Sequence, residues 1–140
     1  MSRRDEHELG VLSEARCFEL LAKQSFGRLA FWSDDMPLIL PVNYVFEEPS
    51  IVVRTGPGVK LEQTPMARVA FEIDDADPLG QWGWSVVAQG HAFDITSSLD
   101  HRSEALRKLA VTPWAPGDKL SWLKVSATRV SGRYFGNLPS

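Results

Sequence analysis

Residues 51–63 read IVVRTGPGVKLEQ. Three β-branched residues run into Arg54 and Thr55, Gly56-Pro57-Gly58 interrupts the chain, and Lys60 stands where a helix would start. β-Branched residues suit a strand, and a Gly-Pro-Gly step ends one. Such a strand end offers a guanidinium, a hydroxyl and an ammonium to one anion, and the N–H groups of a helix start add a fourth attraction. Arg grips a phosphate as a planar fork, Lys as a point charge, and glycine lets the main chain come close to a ligand. The same residues also fit an exposed hairpin end with ordinary surface cations, because the spacing RTxxxxK is not specific.

Outward from this stretch, the chain alternates short apolar runs with turn residues. Ser13 reads as the N-cap of a helix with Glu14 in its first turn and Gly27 at its end; Cys17, Leu20 and Leu21 share one face. Strands are expected at 28–32, 38–46 and 51–54, with turns at 33–37 and 47–50. Pro41 inside the second of these marks an edge, a bulge or an opened ladder. A short helix is expected from Lys60 to residue 64, a strand at 67–74, a loop at 75–81 and a long strand at 82–95 bent at Gly90. A helix at 100–109, an irregular stretch at 111–117 and a hairpin of 120–125 with 129–135 complete the reading. Six to seven strands at hairpin spacings, with few helices, predict a mainly β, antiparallel fold closed or partly closed into a barrel.

Bulk properties bound the function. The 140 residues make one domain, 11–140, behind a polar tail, 1–10. A net charge of −3 argues against a nucleic-acid partner. No apolar run approaches the roughly 20 residues that span a bilayer, and MSRRDEHELG lacks the apolar stretch of a secretory signal, so neither a membrane nor export is expected and the location reads as cytoplasmic. Cys17, the single cysteine, reads as a small core residue and excludes an internal disulfide. His7, His91 and His101 are scattered, and Asp74, Asp75 and Asp77 read as a solvated loop cluster, so no metal site is expected. No GxSxG, HExxH or GxGxxG pattern supports hydrolase or dinucleotide chemistry. Trp82 and Trp84, two apart on a strand, share a face, read here as the one that meets a partner subunit. Trp114 lies in a proline-rich stretch, TPWAPG, and fits either packing or a pocket cover.

The segments LSEARCFELLAKQSFGRLAF, PLILPVNYVF, IVVRTGPGVKLEQ, ARVAFEID, GWSVVAQGHAFDI and VSATRVSGRYF follow one another in an order that covers nearly the whole chain. In that order the chain resembles the FMN-binding split-barrel family typified by pyridoxamine 5′-phosphate oxidase, in the branch that includes nitroimidazole-resistance-type proteins. The resemblance implies a six-stranded antiparallel Greek-key split β-barrel and a homodimer with FMN in two equivalent sites at the interface. It places Arg54, Thr55 and Lys60 on the phosphate. It places Pro41, Val42 and Asn43 along the isoalloxazine edge, mostly through main-chain groups, with Trp84 and Ser85 reaching the flavin or ribityl chain from the neighbouring subunit. On the residues alone, Asn43 is also explained as a satisfied side chain at a bulge. Trp114 is a candidate for the substrate pocket.

Two departures from the family pattern bear on this. Arg54 stands where several relatives place an aromatic, and Val59 where the oxidases tend to place a second cation. The cationic and aromatic C-terminal pattern that receives a vitamin B6 phosphate is not found in RVSGRYFGNLPS, although Arg129 and Arg133 are present. The expected activity is therefore an FMN-dependent oxidoreductase acting by hydride transfer at flavin N5 on a small planar substrate. A non-catalytic flavin-binding or sensing protein, or a deazaflavin-dependent relative, are the alternatives.

Overall fold

The computed structural model describes residues 9–56, 67–109, 111–112 and 121–137. The elements run β1 (Gly10–Leu12), α1 (Glu14–Lys23), β2 (Phe26–Ser33), β3 (Met36–Glu47), β4 (Ser50–Thr55), β5 (Ala67–Asp77), β6 (Trp82–Asp94), α2 (His101–Leu106) and β7 (Ser121–Phe135). The expected helix at 60–64, Lys60 itself and Trp114 lie outside the described residues.

All strand pairings are antiparallel, in the order β1-β7-β4-β3-β2-β5-β6, and β6 pairs back onto β7. Six strands thus close into a barrel, and β1 is a short addition beside β7. Within the ring β5 returns to lie beside β2, so β2–β5 form a Greek key whose long crossover is the segment after Thr55.

Alternation along each strand separates two apolar clusters. Leu29, Phe31, Tyr44, Val53, Phe71, Ile73, Val86 and Val125 point into the barrel. Cys17, Leu20 and Leu21 of α1 join them, so the one cysteine is a core residue. Val52 points outward, into a second cluster with Ile95, Leu106 and Val111 beneath α2. Ser13 accepts from the Arg16 N–H at 3.1 Å, and Asp100 caps α2 by accepting from the Ser103 N–H at 3.0 Å.

The structure corrects two expectations. The residues read as a final hairpin, 120–125 and 129–135, are one continuous strand, β7. Ser126-Ala127-Thr128 makes no turn. Instead Gln89 pairs with Arg129 and Gly90 with Ala127, leaving Thr128 as the extra residue of a bulge that bends the strand. The residues read as a loop, 75–81, are in part strand, because Asp75, Ala76 and Asp77 pair with Trp84, Gly83 and Trp82.

One buried hydrogen bond fixes α1 on the barrel. The last carbonyls of a helix have no partner within it; here the Leu21 carbonyl accepts from the Tyr44 hydroxyl at 2.7 Å. Burial pushes the Tyr44 phenol well above its ordinary range, so it remains a donor. Tyr44→Phe is expected to lower stability by about 1–3 kcal/mol through the stranded carbonyl, read by urea denaturation; an unchanged midpoint would show that α1 does not rely on this bond.

Candidate functional site

The residues singled out in the sequence fall into two groups. β3 carries Pro41, Val42 and Asn43, and β4 ends in Arg54 and Thr55. β3 is registered with β4 from Tyr44 to Glu47, and with β2 from Met36 to Asn43. Asn43 therefore sits where the strand passes from one neighbour to the other, and the sheet forks beside the end of β4. Asn43 is buried, and its side-chain amide donates to the Ser25 carbonyl at 3.4 Å, the acceptor that also takes the Tyr44 N–H at 3.0 Å. Val42 points into the core and Pro41 is exposed.

Arg54 and Thr55 are consecutive in a strand and so point to opposite faces. Thr55 follows the inward alternation of Ile51 and Val53 and is only 4% exposed; its hydroxyl has no hydrogen-bond partner among the described residues. A buried, unmatched hydroxyl costs free energy unless something binds it. Arg54 shares the outward alternation of Val52, and its guanidinium carbon lies 4.9 Å from the ring centroid of Trp122, its cross-strand partner. An anion held by both residues must sit off the end of β4, on neither face of the sheet. This is where the crossover begins.

Trp84 and Ser85 belong to the second group, on β6. The face that Trp82 and Trp84 share is the inner one: Trp84 is buried in the main core cluster with Trp82 packed against it. Ser85 alternates outward. Both Trp84 and Ser85 also line a cavity of about 450 Å³ with Asp74, Gly83, Arg133 and Phe135. In the ring β7-β4-β3-β2-β5-β6, β3 and β6 are opposite strands. One chain thus brings Asn43, Arg54 and Thr55 to one region and leaves Trp84 and Ser85 in another.

A charged cluster that sequence reading passed over joins β2 and β5. Arg28 donates to Glu72 at 3.1 Å and to Asp74 at 3.2 Å. Glu72 and Asp74 are two apart on β5 and share a face, a visible signal; that Arg28 lies opposite Glu72 depends on the register between β2 and β5, which no local pattern reveals. Partial burial, and then the hydrogen bond and charge of Asp74, push the Glu72 carboxyl up to about 7 against the opposing pull of Arg28. No group of three or more His, Cys, Asp or Glu among the described residues is arranged to hold a metal. No described helix is long and apolar enough to cross a membrane.

Closed six-strand antiparallel rings of this connectivity, with a strand that forks between two neighbours, define a class of split-barrel proteins. The chain belongs to the family described as pyridoxamine 5′-phosphate oxidase, whose profile matches residues 13–134. It is similar to the FAD binding protein from Mycobacterium smegmatis, at 31% identity over 90% of this chain and 99% of that one, with a TM-score of 0.72. It is also similar to a conserved protein of unknown function from Corynebacterium diphtheriae, at 28% identity over 91% and 98% of the two chains, with a TM-score of 0.72. An uncharacterized protein of Mycobacterium tuberculosis is 29% identical over 119 residues, which are 81% of this chain and 76% of that protein.

The native state holds the Glu72 proton more tightly than the unfolded chain, in which the group titrates near 4.5. Its contribution to stability is complete below that value and is lost as pH rises through about 7. Glu72→Gln is expected to flatten the decline in stability across this window, measured by denaturant titration at several pH values; an unchanged slope would assign the decline to other groups.

Proposed function

We propose that this chain is an FMN-binding homodimer that acts as an oxidoreductase on a small planar substrate. The carrying observation is the end of β4, where the buried Thr55 hydroxyl has no hydrogen-bond partner among the described residues and Arg54 stands beside it with its guanidinium on Trp122. A phosphate suits both groups: it accepts one O–H and one planar N–H fork. Lys60 would supply the third contact from the crossover. The main chain of Pro41, Val42 and Asn43, at the fork beside this strand end, would line the edge of the flavin ring and supply uncharged donors.

FMN, when bound, supplies hydride transfer at its N5. The chain's own work is to hold the ring, to shape the face that meets substrate and to keep water out. Trp114 is the proposed cover of the substrate pocket. The placement of Trp84 and Ser85 on the strand opposite β3 favours a second copy as their route to the flavin. Cytoplasmic location and a compact domain from residue 11 onward belong to the same proposal.

A second reading, FAD in the same seat, is favoured by the likeness to the Mycobacterium smegmatis protein, described as binding FAD. A non-catalytic flavin carrier would share the seat and differ in turnover. Bleaching of the bound flavin by NADH or NADPH, followed by turnover of an added acceptor, separates enzyme from carrier.

The purified protein is expected to show flavin absorbance and to bind FMN, with Arg54→Ala or Lys60→Ala each weakening binding by about 1.5–3 kcal/mol. Calorimetric titrations of FMN and FAD side by side check this; affinities unchanged in both variants would remove the assigned grip. Light scattering is expected to report a dimer, and a monomer that keeps its flavin would eliminate Trp84 and Ser85 as contributions from a second copy.

A further inference from the structure

We propose that Trp122 is a positioning residue for the anion grip, acting through Arg54; this rests on the flavin reading above. Arg54 and Trp122 are direct partners in the register of β4 and β7, and the guanidinium carbon lies 4.9 Å from the centroid of the indole. The platform is itself held from behind. The Trp122 main-chain N–H donates to the Thr96 hydroxyl at 2.9 Å, and its main-chain carbonyl accepts from the Ile95 N–H at 2.9 Å, which fixes the backbone that carries the indole. The Thr96 hydroxyl in turn donates to Asp94 at 2.6 Å. The Trp122 side chain packs on the outer cluster of Val52, Ile95, Leu106 and Val111. Each of these contacts lies outside the barrel, on the side to which alternation sends Arg54.

A long arginine at a strand end has many rotamers, most of which point its fork away from a ligand. Stacking engages the face of a guanidinium plane, whereas a phosphate engages its N–H edge, so the two contacts do not compete for the same side of the group. A lysine cannot substitute, because its ammonium has neither a plane to stack nor a fork to present. Trp122 thus holds a part-buried guanidinium in one orientation and makes it a pre-set receptor.

The test compares FMN with riboflavin, because the ratio of the two affinities reads the phosphate alone. Arg54→Ala is expected to lower that ratio about tenfold or more. Trp122→Leu should lower it about fivefold and Trp122→Phe, which keeps a ring, by less than about twofold. Arg54→Lys leaves the indole and the outer cluster intact and should behave like Trp122→Leu. Adding Trp122→Leu to Arg54→Ala should change the ratio no further, since the two act through one group. The proposal is overturned, with the flavin reading left standing, if Trp122→Leu weakens both ligands equally, if its effect adds in full to that of Arg54→Ala, or if Arg54→Lys retains the ratio. An unchanged ratio in Arg54→Ala would instead remove the grip itself, and this inference with it.

Discussion

The barrel depends on β7 being one strand with two different neighbours along one edge. Its inner register with β6 runs the whole way from Phe135 to Leu123, while its other edge is taken by β4 from Ser121 to Ser126 and by β1 from Gly132 to Tyr134. A straight strand cannot follow both. The extra residue at Thr128 supplies the bend, and its hydroxyl donates to the Gln89 carbonyl at 3.2 Å. Gly90 lets the strands approach there: a Cβ at that position would lie 2.0 Å from the Ser126 carbonyl oxygen, a contact that only a backbone shift would relieve. Closure of the ring, and with it the position of the end of β4, follows from this one irregularity.

Ring closure also sets the division of labour between faces. Alternation alone sends Val53 and Thr55 inward and Val52 and Arg54 outward. The inner cluster stabilises the barrel, and the outer cluster under α2 anchors Trp122. The two residues at the end of β4 therefore draw support from two separate bodies of apolar packing. The segment that follows them is the Greek-key crossover, so the proposed anion seat lies where the chain leaves β4 for β5.

Much of this was legible in the sequence because it is local. Ser13 and Asp100 are caps with nearby donors, the alternation at 67–74 is clean, and Gly90 marks a bend wherever the strand pairs. What stayed hidden depends on register between distant segments. Ser126-Ala127-Thr128 resembles a short turn until Gln89 and Gly90 are placed opposite it. Asp75 and Asp77 resemble a solvated loop until Trp84 and Trp82 pair with them. Trp122 and Arg54 are brought together only by the register of β4 with β7. Arg28 and Glu72 lie 44 residues apart, and nothing in either neighbourhood announces the other. The opposition of β3 and β6 is likewise a property of the closed ring, so the distance between the two halves of the candidate site had no local signature.

The carbonyl of Ser25 accepts from both the Tyr44 N–H and the Asn43 amide, just where α1 hands over to β2. One oxygen therefore ties the exit of the helix to the fork of β3. Repacking beneath α1, at Cys17 or Leu21, would be transmitted to the fork through this junction and not absorbed in the core. A laboratory lineage selected only for a firmer interior would, by that route, drift in its grip on whatever rests against the fork.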